Sequence, residues 1–180
     1  GSICHRIREC MDRHNAVVPV SFNLSRMDFI TTDVFEVVED AVKRNNIPRE
    51  NIHVEITESM LVSDAESVSR DMDRFHEAGY QVWMDDFGSG YSSLNVLKDY
   101  KFDVLKIDMT FLSSFTEKSK AIISSIVDMA KKIGVQTLAE GIETKEQYEF
   151  LREIGCEKVQ GYFFGRPRPC ETTLIDESGG

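Results

Sequence analysis

Asn23, Glu55, Glu58, the pair Asp85-Asp86, Lys106, Asp108, Glu140, Glu143 and Gln160 each stand at, or just past, the end of an apolar, β-branched stretch. Asp85 and Asp86 follow Val82-Trp83-Met84, and two adjacent acids repel each other unless a cation sits between them. Glu55 lies among Ile52, Val54 and Ile56, where a carboxylate needs a partner, and a metal ion is one. Amide and carboxylate oxygens are hard donors that select Mg²⁺ or Mn²⁺ over thiophilic ions. Such ions lower the pKa of bound water and neutralise phosphate charge, and two together hold both oxygens of an in-line displacement. A nearby lysine then holds the water or the phosphate, and a free carboxylate such as Glu140 serves as general base. Each residue also has a plainer use. Asn23 suits a turn, Glu58 can start a helix, and Lys106, between Leu105 and Ile107, points inward or to solvent. Glu140 and Gln160 say little singly; the recurrence at one end of successive strands carries the argument.

The elements that must position these groups follow from periodicity and punctuation. Helical spacing covers Ile3–Arg13. Strands are expected at Val17–Leu24, Ile52–Thr57, Gln81–Asp85, Phe102–Ile107, Val135–Ala139 and Lys158–Tyr162. Between them we expect a helix capped by Thr32 or Asp33 and running to about Asn45, and one from Asp64 to Gly79. A short helix follows the Asp85-Asp86 loop, another helix covers Glu117–Ile133, and a last one runs from Thr144 to Ile154. Regular alternation means parallel strands joined by helical crossovers, in an open doubly wound sheet or a closed barrel. Neither GxGxxG nor GxxxxGK[ST] is present. Polar residues at the same end of nearly every strand favour the barrel, because an open sheet gathers its site at one switch point.

The chain has 180 residues, 41% hydrophobic and 29% charged, which suits one globular domain. A complete (β/α)₈ barrel usually takes about 250 residues and at least about 200. The expected fold is therefore an α/β, TIM-like but incomplete barrel with about six of its eight strands. With 21 Lys+Arg against 31 Asp+Glu, the net charge of −10 argues against a nucleic-acid polymer or an anionic membrane as partner. An acidic rim becomes anion-binding once cations occupy it. No stretch approaches 18 consecutive apolar residues. Cys4, Cys10, Cys156 and Cys170 lack zinc spacing and fit a reducing compartment. Gly1-Ser2 reads as an expression scar, 3–169 as the domain, and 170–180 as a flexible tail.

Six segments occur in order: Ser21-Phe22-Asn23-Leu24-Ser25, Glu55-Ile56-Thr57-Glu58, Asp85-Asp86-Phe87-Gly88-Ser89-Gly90-Tyr91-Ser92-Ser93-Leu94, Lys106-Ile107-Asp108, Ala139-Glu140-Gly141-Ile142-Glu143-Thr144 and Gln160-Gly161-Tyr162. Pro167 follows shortly after. Together they resemble the EAL-domain phosphodiesterases, which open cyclic di-GMP to linear pGpG with Mg²⁺ or Mn²⁺. The resemblance implies a TIM-like barrel with Asn23, Glu55 and Asp85 as metal ligands and Asp86 as ligand of a second ion. It implies that Lys106 orients the nucleophilic water, that Glu140 is the general base, and that Gln160 lies near the water or phosphate. Glu58 is similar to the glutamate that braces the loop after the Asp-Asp strand, while Asp108 and Glu143 are supportive motif positions. Ser89 stands where the family more commonly has Thr.

The resemblance also leaves a gap. The family's eponymous Glu-Ala-Leu segment, whose glutamate is another ligand, would precede the helix at Ile3, and this sequence does not contain it. For these 180 residues alone we therefore expect weak or no turnover. The alternative to an enzyme is a catalytically silent module that binds cyclic di-GMP or a protein. Two open edges, at Val17–Leu24 and Lys158–Tyr162, lead us to expect a homodimer or a strand-exchanged oligomer. A GGDEF or sensory domain upstream and a bacterial cytoplasmic location, with or without a membrane anchor elsewhere in the parent, are further implications of the resemblance.

Overall fold

The computed structural model describes residues 2–14, 19–63, 65–88 and 94–167. The expected cap at Asp64, positions 17 and 18, Ser89 with its neighbours to Ser93, Cys170 and the expected tail lie outside the described residues. Six strands form one sheet: β1 Val20–Asn23, β2 Ile52–Thr57, β3 Gln81–Phe87, β4 Val104–Ile107, β5 Gln136–Ala139 and β6 Lys158–Val159. Every pairing is parallel, and the spatial order is the chain order. A doubly wound sheet reverses its order at a switch point; this sheet has none. Right-handed crossovers without reversal put the helices on one face, and the sheet curls into a half-barrel around the other.

Nine helices surround the described sheet: α1 Ser2–His14, α2 Arg26–Thr31, α3 Val34–Arg44, α4 Glu58–Ser63, α5 Ala65–Ala78, α6 Leu94–Asp99, α7 Thr110–Ser113, α8 Glu117–Lys132 and α9 Lys145–Glu153. Caps explain their starts. Asp33 accepts from the Glu36 amide, Thr116 from Ser119 and Thr144 from Gln147. The short helices α2, α4 and α7 were not expected, because four to six residues carry too little periodicity to register. The expected last strand, Lys158–Tyr162, is corrected to two residues. Gln160 still donates its amide to Ala139 O at 2.9 Å, but Gly161 is pressed against the Ile142 backbone and the chain turns away.

Strand alternation divides the residues cleanly. Val54, Ile56, Val82, Met84 and Leu105 face the helices and pack with Val42, Val68 and Phe75. Ile107 and Ala139 face a second group containing Leu112, Ile123, Val127 and Leu151. On the inner face Trp83, Val104 and Leu138 form their own apolar cluster. His53 stacks on Trp83 at 4.2 Å, and Lys158 Nζ lies 4.8 Å from the same ring. Two residues further along those strands come Asp85, Lys106 and Glu140, so the apolar cluster is the floor beneath a polar layer.

At the opposite end of the sheet, the buried Glu39 of α3 ties three elements together. It accepts from Tyr80 Oη at 2.6 Å and Arg49 Nε at 3.0 Å, and pairs with Lys43 at 3.1 Å. The Arg49 hydrogen bond, opposed by burial and helped by Tyr80 and Lys43, holds the Glu39 carboxyl down to about 2 from an ordinary 4.5. A carboxyl depressed in the fold contributes stability above its unfolded pKa and loses it as pH falls through the folded one. Glu39→Gln is therefore expected to lower the urea midpoint at pH 7 and to flatten its decline between pH 4.5 and about 2. An acid limb as steep in the variant as in the wild type contradicts this assignment.

Candidate active site

Strand register delivers the polar layer. Asn23 pairs with Glu55 across β1 and β2, Thr57 with Asp85 across β2 and β3, and Lys106 with Leu138 across β4 and β5. Lys106 points inward and is 6% exposed. Its Nζ lies 2.9 Å from Glu55 Oε2, 2.7 Å from Asp85 Oδ1 and 3.0 Å from Glu140 Oε1. Gln160 Nε2 donates to the same Glu140 oxygen at 2.6 Å. The Asn23 amide lies 3.3 Å from Glu55 Oε2 and 2.9 Å from Asp85 Oδ2, and with its nitrogen turned to the two acids it donates to both. Residues in, or one position past the ends of, six strands thus form one connected network over the Trp83 floor. The partner that buried Glu55 required is Lys106.

The charges do not balance. One ammonium faces three carboxylates, with Asp86 a fourth acid at the rim. Burial alone would depress the Lys106 pKa, but hydrogen bonds to Asp85, Glu55 and Glu140 outweigh it and keep the ammonium charged well above its ordinary range. Burial pushes Glu140 up, against the pull of Lys106. Burial also pushes Asp86 up, and the charges of Asp85 and Asp108 add to it.

Two adjacent strand residues ordinarily face opposite ways, yet Asp85 and Asp86 both leave the helix-facing core. The reason is a bulge. From Met84 to Phe87, β3 takes three steps while β4 takes two, from Leu105 to Ile107. Met84 and Phe87 both pack into the helix-facing core, and both acids between them are released from it. Asp86 adopts a left-handed φ of 56°, a conformation that aspartate tolerates better than most residues. Among the described residues, no three Asp, Glu, His or Cys groups stand in metal-holding geometry by themselves. The Lys106 ammonium lies among the carboxylates and is one cation beside Asp85.

Other expected residues sit around this network. Glu58 is buried at the first position of α4. Asp108 Oδ1 accepts from the Thr110 amide at 2.7 Å and so starts α7. Glu143 is exposed and does not reach Lys106; it lines a neighbouring cleft of about 850 Å³ with Glu140, Gln160, Tyr162, Phe164 and Arg166. Sequence reasoning assigned no role to Phe164, Arg166 or Gln147. Buried Gln147 accepts from the amides of Glu143 and Thr144 at 2.9 and 3.0 Å and donates to Leu112 O at 3.1 Å, fixing the Glu140–Thr144 loop against α7. Thr144 and Gln147, three apart at a helix start, form a capping-box signal that can be found in sequence.

Removing one partner of a buried charge cluster strands the others. Lys106→Met is expected to cost about 3–5 kcal/mol of unfolding free energy in buffer free of divalent ions. Denaturant titration reads this directly, and a loss below about 1 kcal/mol would mean that the carboxylates are adequately solvated without the ammonium.

Three comparisons bear on this site. A model of the EAL domain matches residues 1–167. The chain is 34% identical over 173 residues to the bifunctional diguanylate cyclase/cyclic di-GMP phosphodiesterase MucR of Pseudomonas aeruginosa, covering 95% of this chain and 25% of that protein. It is 34% identical over 165 residues to the cyclic di-GMP phosphodiesterase RocR of the same organism, covering 91% of this chain and 42% of RocR. The solved MucR phosphodiesterase in complex with c-di-GMP superposes with a TM-score of 0.84 at 33% identity, covering 94% of this chain and 70% of that one. The chain thus spans a quarter of MucR and under half of RocR.

Proposed function

The chain belongs to the EAL domain family, and on that premise we propose that its site hydrolyses cyclic di-GMP to linear pGpG with a divalent cation, Mg²⁺ or Mn²⁺. The observation that carries this reading is the convergence of Glu55, Asp85 and Glu140 on Lys106, one cation for three carboxylates. A doubly charged phosphodiester substrate cannot approach such an acidic rim until further positive charge arrives.

The donor set fits that charge. The Asn23 amide lies 3.3 Å from Glu55 Oε2 and 2.9 Å from Asp85 Oδ2. With its oxygen turned to the acids instead, the Asn23 amide adds a third hard oxygen beside those of Glu55 and Asp85. Asn23, Glu55 and Asp85 would hold one ion and Asp86 would contribute to a second. Bound there, the ions would lower the pKa of water and neutralise the phosphate.

The chain's own residues supply the remainder. Lys106 orients the attacking water or a phosphate oxygen, since its ammonium is charged at any physiological pH. Glu140, pushed up by burial, accepts the water proton as the new P–O bond forms and the P–O3′ bond breaks; the 3′ oxygen takes a proton from solvent water and leaves as the 3′-hydroxyl, with the 5′-phosphate of pGpG as the other end. Gln160 keeps one Glu140 oxygen in place. The floor of Trp83, Val104 and Leu138 excludes water from below. Tyr162, Phe164 and Arg166 line a cleft suited to a planar base. We place this reaction in a bacterial cytoplasm, within a larger signalling protein that carries a GGDEF or sensory domain. The greater length of its relatives supports the larger protein.

The test is turnover by the longest natural polypeptide that carries this sequence, with pGpG resolved by chromatography. Glu55→Gln, Asp85→Asn and Glu140→Gln are each expected to lower kcat by roughly 10²-fold or more. Excess chelator is expected to abolish turnover. Full activity in the Glu55 and Asp85 variants, or in chelator, contradicts the reading. Tight cyclic di-GMP binding with no turnover in the wild type would instead identify a silent binding module.

A further inference from the structure

The bulged end of β3 and the turn that follows it contain two left-handed residues, Asp86 at φ 56° and Gly88 at φ 92°. For aspartate that conformation costs roughly 1–2 kcal/mol, so something outside the turn must select it. A group suited to the task stands against Gly88. The ring of Phe111, in α7, fills the space where a side chain on Gly88 would stand; a β-carbon built there would overlap ring atoms Cε2 and Cζ. The ring is itself anchored. Phe111 packs against the cluster of Ile107, Leu112, Ile142 and Leu151, and its amide donates to Asp108 O at 3.2 Å. Because α7 begins immediately after Lys106-Ile107-Asp108, the wall that limits Gly88 is tied to the strand that carries the ammonium.

We propose that Phe111 is a positioning residue for Asp86. By closing the space beside Gly88, its ring keeps the turn after β3 left-handed and so holds the Asp86 carboxylate beside Asp85. Phe111 touches neither substrate nor cation; it acts through the backbone of Gly88. The consequence for cation binding rests on the divalent-ion reading above, whereas the effect on the turn does not.

Hydrogen exchange and cation titration separate these parts. Hydrogen exchange in peptides covering residues 84–88 is expected to quicken by roughly fivefold or more in Phe111→Ala, with α8 unchanged. Mn²⁺ titration by calorimetry is expected to show roughly tenfold weaker binding in Phe111→Ala and less than about threefold in Phe111→Leu, which keeps most of the bulk. In turnover, the Mn²⁺ concentration for half-maximal rate rises by a like factor, while kcat at saturating Mn²⁺ stays within about twofold. Phe111→Ala should add no further loss of Mn²⁺ affinity to Asp86→Asn, because both act through one carboxylate. Unchanged exchange at 84–88, equal quickening across the chain, or additive losses in the double variant each overturn the proposal. A wild-type chain that binds no Mn²⁺ overturns the cation reading instead, and the exchange comparison still decides whether Phe111 sets the turn.

Discussion

A single ammonium group lies within 3.0 Å of three carboxylates from three different strands. Charges taken out of water this far are tolerated only when geometry is good and the remaining lone pairs are satisfied. Lys106 therefore constrains the whole layer. Glu55, Asp85 and Glu140 must reach the same height above the floor; Gln160 shares Glu140 Oε1 with Lys106, and Asn23 reaches Glu55 Oε2 and the second oxygen of Asp85. The excess of negative charge remains, and a divalent cation of the kind proposed would offset it.

The scaffold meets this constraint through register. Sequential parallel strands with no order reversal bring like positions of neighbouring strands to one rim. Beneath each of three polar residues lies an apolar one two steps earlier: Trp83 below Asp85, Val104 below Lys106, Leu138 below Glu140. At Asp86 regular alternation would have sent the carboxylate into the helical layer. The bulge between Met84 and Phe87 prevents it, and the ring of Phe111 against Gly88 closes the turn that follows. Gln147 does the corresponding work for the Glu140 loop, joining two of its amides to Leu112.

Much of this was legible in the sequence, for identifiable reasons. β-Branched runs ending in polar residues placed β2, β4 and β5 within a few residues, and Gly79, Gly134 and Gly155, each left-handed, mark the ends of α5, α8 and α9. The direction of Lys106 was not legible, because an alternating strand has two faces and Leu105-Lys106-Ile107 does not say which is inside. Nor was the cation beside Asp85: pattern alone cannot tell a lysine on the next strand from a metal ion. Glu39 reads as an ordinary polar residue of an amphipathic helix; only the fold brings Arg49 and Tyr80 to it. The bulge at Asp85-Asp86 leaves no mark on the hydrophobic pattern, since Met84 and Phe87 read as apolar under either register.

We propose that the carboxylates gathered around Lys106 also hold a divalent cation, through oxygens of Asn23, Glu55 and Asp85. Paramagnetic Mn²⁺ makes that claim directly measurable, because free and bound ions differ in their electron spin resonance signal. Titration of the chain with Mn²⁺ should show saturable binding in the wild type that is lost in Glu55→Gln and Asp85→Asn but survives in Lys106→Met. Binding of equal strength in the wild type and in both carboxylate variants, or no saturable binding in the wild type, would contradict it.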